Sequence, residues 1–252
     1  MDLQLAGKRV LVTGGSKGIG LATAQTFARE GCAVILAARE SEALKTAAGQ
    51  LSATGAEVLT IACDLTLETG LQQIVEQAGL VDVLVNNAGA IPHGSLAEVD
   101  MERWRKAWDL KVYGFISLTQ KLYATLQKRR GVVVNVIGAA GEHFPGDFIA
   151  GSAGNAALMG FTRALAKTAH RDGVRVVAVS PGPVRTERLT MIMKARAQSE
   201  LGDSERWPEL FAGMPFGRAA EPTEIGDAVA FLASPRSAYT AGTILTIDGG
   251  AP

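Results

Sequence analysis

The sequence is poor in several kinds of residue, and each shortage excludes something. It holds two cysteines, Cys32 and Cys63, and three histidines in 252 residues. The cysteines stand far apart, each beside a strand-like run and without histidine company. That spacing suits neither a metal site nor a redox pair, so both are expected as reduced, buried thiols and no metal is expected. Charge of one sign is also lacking: 25 Lys and Arg balance 25 Asp and Glu, with no basic run. Nucleic acid and anionic membrane surfaces are therefore excluded as main partners. No apolar stretch reaches the ~20 residues that a bilayer-spanning helix needs. The opening Met1-Asp2-Leu3-Gln4-Leu5-Ala6-Gly7-Lys8 has no signal-peptide architecture and runs at once into a strand. These absences predict a cytoplasmic protein. No linker, repeat or low-complexity segment interrupts the chain, and its length suits one large α/β domain.

What is present is an alternation of short apolar runs with helically spaced segments. Strands are predicted over residues 8–13, 33–38, 57–62, 81–85, 132–137, 174–179 and 243–247. Helices are predicted over 17–30, 41–53, 66–78, 100–126, 148–171 and 221–233, with Asp100 as the N-cap of the long fourth one. Seven strands alternating with helices predict right-handed crossovers and a Rossmann-type, doubly wound parallel sheet. In such sheets ligands sit outside the carboxyl ends of the strands, so the loops after the strands carry the information.

The first of these loops reads Thr13-Gly14-Gly15-Ser16-Lys17-Gly18-Ile19-Gly20. Glycines between a strand and a helix let the backbone turn tightly and approach a pyrophosphate, whose charge the helix N-terminal amides meet. Gly14, Ser16, Lys17, Gly18, Ile19 and Gly20 are thus expected to bind a dinucleotide. The second strand ends Ala37-Ala38-Arg39. An NAD-binding fold usually carries an acid here, to bond the ribose 2′-hydroxyl. Ala38, Arg39 and the nearby Lys17 suit a 2′-phosphate instead, so the expected cofactor is NADP(H), with NAD(H) the weaker ligand.

Along its whole length the chain resembles the short-chain dehydrogenase/reductase family. The T-G-x-x-x-G-x-G loop matches at Thr13–Gly20, and the N-N-A-G stretch at Asn86-Asn87-Ala88-Gly89. The P-G-x-V-x-T segment matches Pro181-Gly182-Pro183-Val184-Arg185-Thr186, and the C-terminal D-G-G matches Asp248-Gly249-Gly250. The resemblance implies that Asp64 and Leu65 meet the adenine. It places Asn87, Ala88 and Gly89 along the cofactor, and Pro181, Gly182, Val184 and Thr186 beside the nicotinamide. It also implies a homotetramer in which the helices 100–126 and 148–171 pair across a two-fold axis and the C-terminal strand builds a second interface. Small residues Gly151, Ala153, Gly154, Ala156, Ala157 and Gly160 would allow close approach at the first interface.

The resemblance fails at the chemistry. The family reduces or oxidises through a Ser, a Tyr and Lys in Y-x-x-x-K, and an Asn on the long fourth helix. Here Gly138 takes the Ser position, and thirteen residues on Gly151-Ser152-Ala153-Gly154-Asn155 replaces Y-x-x-x-K. Lys111 stands where the Asn belongs, so the amide and the ammonium look exchanged. The glycines read as room for a ligand or as close helix packing. Lys111, Asn155 and the loop residue His143 are the candidate catalytic groups, and His143 is chosen because imidazole titrates near neutrality. His93 is a weaker candidate. The segment 187–213, with Met191, Met193, Leu201, Trp207 and Phe211, is expected to form a lid over a partly apolar small-molecule substrate. Three functions remain open. The first is an NADP(H)-dependent oxidoreductase with an atypical site, slow on generic ketones. The second is a lyase or hydrolase on the same fold, and the third is a cofactor-binding subunit without turnover.

Overall fold

Short runs of Val, Ile, Leu and Ala form parallel strands because such residues tolerate burial on both sheet faces. The computed structural model describes residues 1–251. Its strands are β1 (Arg9–Thr13), β2 (Ala33–Ala38), β3 (Val58–Ala62), β4 (Val83–Asn86), β5 (Val132–Val136), β6 (Arg175–Pro181) and β7 (Ile244–Ile247). They make one sheet in the order β3-β2-β1-β4-β5-β6-β7, and every pairing is parallel. The chain runs outward from β1 to β3 and returns to place β4 beside β1. The loops after β1 and β4 therefore diverge, and a crevice opens between them.

The helices are α1 (Gly18–Arg29), α2 (Ser41–Ser52), α3 (Glu68–Ala78), α4 (Met101–Trp108), α5 (Gly114–Arg129), α6 (Ala140–His143), α7 (Ile149–Ala169), α8 (Glu187–Leu201) and α9 (Pro222–Ala233). Alternation along β1 sends Val10 and Val12 to one core with Phe27, Leu44 and Ile225, and Leu11 to the other with Ile74, Leu118 and Leu122. Cys32 and Cys63 are buried free thiols, and burial pushes their pKa values up to about 12 and about 11.

Three features depart from the expected pattern. The long helix over 100–126 is broken: α4 gives way to a π-helical turn, Asp109–Tyr113, before α5 begins. The expected cap holds, for Asp100 accepts the Arg103 N–H at 2.8 Å. The segment after β6 is ordered as α8, capped by Thr186, and a 3-10 stretch, Ser204–Gly213. Within it Trp207 and Phe211 pack edge to face at 5.3 Å. Finally, a buried polar chain crosses the sheet. Asn86 donates to Thr119 Oγ1 at 3.0 Å and to Asn135 Oδ1 at 2.9 Å, and Asn135 donates to Thr162 Oγ1 at 2.9 Å. It ties β4 and β5 to α5 and α7, the two helices that flank the reacting end of the crevice.

Among the described residues, no helix is long and apolar enough to cross a membrane.

Candidate active site

The loop between β1 and α1 is locked to the end of β4. Thr13 Oγ1 accepts the N–H groups of Asn87 and Ala88 at 2.9 and 3.1 Å, and Asn87 Nδ2 donates to the Thr13 carbonyl at 2.9 Å. A Cβ on Gly20 would overlap the Gly14 carbonyl and the Asn87 amide, so only glycine lets α1 start this close beneath the loop.

The result is a cleft of about 700 Å³ at the carboxyl ends of the strands. Gly14, Ser16, Lys17, Gly18 and Ile19 line one wall, and Asn87, Ala88 and Gly89 another. Arg39 and Leu65 line its far end, and Thr186 the mouth of α8. Other expected contacts frame the cleft rather than line it. Gly20 lies under the loop, and Val184 is buried. The Pro181 carbonyl accepts the Ala139 N–H at 2.8 Å, while the Gly182 N–H donates to Ile247 at 3.0 Å. The Asp64 carboxylate accepts from the Thr66 N–H and hydroxyl at 2.9 and 2.8 Å. Burial raises its pKa, but those two bonds, with Arg39 and Lys106 nearby, bring it below the usual carboxylate range.

At the far end Lys17, Ala38, Arg39 and Glu40 come together. No acid stands at position 38, and the two cations face the cleft as the sequence implies. Glu40 is a further neighbour, at the N-cap position of α2.

The reacting end is organised around an inward-pointing lysine. The Lys111 stem packs under Gly89, where an added Cβ would approach its Cδ to 2.9 Å, and Nζ donates to the Ile137 carbonyl at 2.5 Å. Burial of the ammonium, and secondly repulsion from the Arg188 guanidinium, lowers its pKa to about 8. The π turn sets this direction: the Gly114 N–H reaches back to the Asp109 carbonyl, an i→i+5 bond that bulges the helix at Lys111. Asn155 is buried on α7, and its Oδ1 has no hydrogen-bond partner. Its amide lies against Gly138, whose φ of +144° and missing side chain leave room for it. Lys111 and Asn155 thus converge on the β5 loop, at Ile137 and Gly138, without bonding each other.

Gly151 does not make room for a ligand. A Cβ there would overlap the Phe148 ring, which fills the space, and Gly154 packs on Trp108 and Val112. The packing alternative is the one realised. Phe148 in turn stacks on His93, with ring centroids 4.3 Å apart. His93 lines the cleft, and burial, aided by Arg188 and opposed by Asp147, lowers its pKa. His143 turns away from the cleft lining and pairs with Asp248 at 2.8 Å. Of the expected lid side chains only Met191 reaches the cleft; Met193 is buried, and Leu201, Trp207 and Phe211 lie off it. Ile192, Glu187 and Arg188 do line it. Sequence reasoning missed Phe148 and Arg188. An aromatic three residues before a helical glycine, and a cation just past P-G-x-V-x-T, were the available signals.

A family model described as enoyl-(acyl carrier protein) reductase matches residues 14–252. The 3-oxoacyl-[acyl-carrier-protein] reductase of Vibrio cholerae is 34% identical over 253 residues, covering 98% of each chain. The chain belongs to the short-chain dehydrogenase/reductase family. Within the family, the structure of L-sorbose reductase from Gluconobacter frateurii, complexed with NADPH and L-sorbose, is 31% identical. It superimposes with a TM-score of 0.93 over 99% of this chain and 98% of that one. An NADPH-bound short-chain oxidoreductase from Pseudomonas aeruginosa PAO1, described as containing an atypical catalytic center, is 30% identical. Its TM-score is 0.88, with 98% of both chains covered.

Proposed function

We propose that this chain is an NADP(H)-dependent oxidoreductase acting on a small carbonyl or alcohol substrate through an atypical centre. The observation that carries the reading is the far end of the cleft, where Arg39 and Lys17 face a position 38 without an acid. The residues present fit the dinucleotide. The Gly14 N–H is taken by the Ala37 carbonyl at 2.7 Å, but the Ser16–Ile19 amides are left for the pyrophosphate, the two cations suit the 2′-phosphate, and Asp64 and Leu65 flank the adenine end. Pro181, Gly182 and Val184 hold Thr186 in place at the other end. The NADPH complexes of the related reductases support this cofactor.

When bound, the nicotinamide supplies or takes the hydride; the protein has to handle the proton. The family's phenol is replaced by the Phe148 ring over Gly151, so that proton comes from elsewhere. Lys111 Nζ is the group with the required properties. It holds a proton at neutral pH, its pKa of about 8 suits transfer near there, and two of its N–H donors are not used by Ile137. Asn155, with its orphaned Oδ1, orients what lies between Gly138 and Lys111. Phe148 and His93 stack to form an aromatic wall at that end. His143 is a positioning residue, tying the loop after β5 to Asp248. The P. aeruginosa relative supports a family member working with a centre of unusual composition.

Calorimetric titration tests the cofactor assignment. NADPH should bind tighter than NADH, and Arg39→Ala should weaken NADPH by ~1–3 kcal/mol while leaving NADH nearly unchanged. Equal affinities, untouched by the substitution, would remove the 2′-phosphate assignment. Nicotinamide absorbance then follows turnover, which should be slow on neutral ketones. Rates on them typical of a Tyr-dependent reductase, unaffected by Lys111→Met, would defeat the role given to Lys111.

A further inference from the structure

The cleft carries a cation that the chemistry above does not use. Arg188 is the second residue of α8, and its Nη2 donates to the Ile91 carbonyl, just past N-N-A-G. That single bond to a neutral oxygen leaves most of its five N–H donors open. Although Arg188 is exposed, it is exposed into the cleft. No carboxylate of the described residues pairs with it or with Lys111. The acids nearby are committed elsewhere or stay apart: Asp147 lies by His93, Glu187 lines the rim, and Glu221 pairs with Arg185.

The Arg188 guanidinium and the His93 imidazole on Phe148 therefore look onto one space, and the Lys111 ammonium, bonded to Ile137 behind Gly89, lies near enough to feel the charge of Arg188. The charge of Arg188 reaches both others and disfavours their protonation. Such an arrangement repels itself unless an anion enters. The 2′-phosphate of a dinucleotide is met at Arg39 and the pyrophosphate by the amides of the glycine loop, whose Gly18 packs against Thr186; the NADPH titration separates that second occupant from a carboxylate. Met191 and Ile192, on the α8 face beside Arg188, add a small apolar wall. A planar guanidinium with two parallel donors is shaped for a carboxylate.

We propose that Arg188 is a specificity-determining residue that receives the carboxylate of the substrate. The substrate class is then a small carboxylic acid that also carries the reacting carbonyl or hydroxyl group, with a short apolar stem toward Met191 and Ile192. The inference rests on the oxidoreductase reading and narrows it: neutral ketones are poor because they leave Arg188 without its partner.

The test uses butanoate, which cannot react, and the neutral butan-2-one. Each is titrated into the full-length protein saturated with NADPH, following cofactor fluorescence, and into the free protein by ligand-observed NMR. Wild type should bind butanoate at least tenfold tighter than butan-2-one. Arg188→Gln should weaken butanoate at least tenfold, Arg188→Lys should fall between, and the NADPH Kd should move less than twofold. Thermal unfolding of both variants verifies that they are folded. Equal butanoate affinity in wild type and Arg188→Gln would overturn the inference. So would an NADPH Kd rising in step with that of butanoate, since Arg188 would then serve the cofactor phosphates. Absence of NADPH binding altogether would instead strike the oxidoreductase reading, and the NMR titration of free protein would still decide the carboxylate question.

Discussion

A lysine pushed down to a pKa of about 8 is a liability as well as a tool. Unfolded lysine has a pKa of 10.5, so between these values the unfolded chain binds more protons than the folded one. The stability cost of Lys111 is therefore fully present below pH 8 and fades as pH climbs toward 10.5. Lys111→Met keeps the stem and removes the charge. It should raise stability by ~1–3 kcal/mol at pH 7, with the gain over wild type shrinking at pH 10 in urea unfolding. Turnover should fall by ~10²-fold or more, and the wild-type rate of carbonyl reduction should decline above pH 8 as the proton is lost. A second expectation concerns Gly151. Restoring the family's phenol by Gly151→Tyr drives the new side chain into Phe148. It should destabilise the protein by ~1–3 kcal/mol without raising activity. Adding Phe148→Ala should recover most of that stability, a coupling that a double-mutant cycle measures. Which residue stood at each family position could be read from the sequence. That Phe148 fills the vacancy could not, because the contact depends on a rotamer chosen by three-dimensional packing.

At the scale of elements, the strands were legible because seven apolar runs end at glycines, turns or charges, and their predicted bounds agree within about two residues. The helix over 100–126 was not. Its apolar spacing is continuous, and nothing in the sequence marks the extra residue that the π turn absorbs at Asp109–Tyr113. The polar chain from Asn86 to Thr162 was equally silent, since its partners are far apart in sequence. For α7 the structure divides the small residues. Gly151 and Gly154 face inward, whereas Ala153, Ala157, Gly160 and Ala164 form an outward stripe, half-buried at Ala153 and exposed beyond it. If this stripe pairs with its two-fold copy, light scattering should report a tetramer, or at least a dimer. Ala157→Glu should then halve the assembly without unfolding the protomer, because residue 157 is solvent-facing in the single chain. A monomeric wild type at micromolar concentration would remove the interface.

For the molecule as a whole, the crevice between β1 and β4 follows from topology, and its occupation should stabilise the entire fold. At a hundred times its Kd, NADPH should add ~2.7 kcal/mol to the unfolding free energy, readable as a concentration-dependent Tm. The close fit of α1 against α9 carries a different consequence. Gly226 sits so near Thr23 that an added Cβ would meet its backbone at 3.0 Å, and Thr26 donates to Asp227 at 2.9 Å. The helix that opens the dinucleotide loop is thus covered by nearly the last helix of the chain. During synthesis, α1 can pack on β1, β2 and α2, but the side that meets Gly226 has no cover until residues 222–233 leave the ribosome. The half that contains every glycine of the T-G-x-x-x-G-x-G loop is consequently no portable module. Cut out and grafted elsewhere, it would carry the recognition loop and lose the surface that holds it in shape.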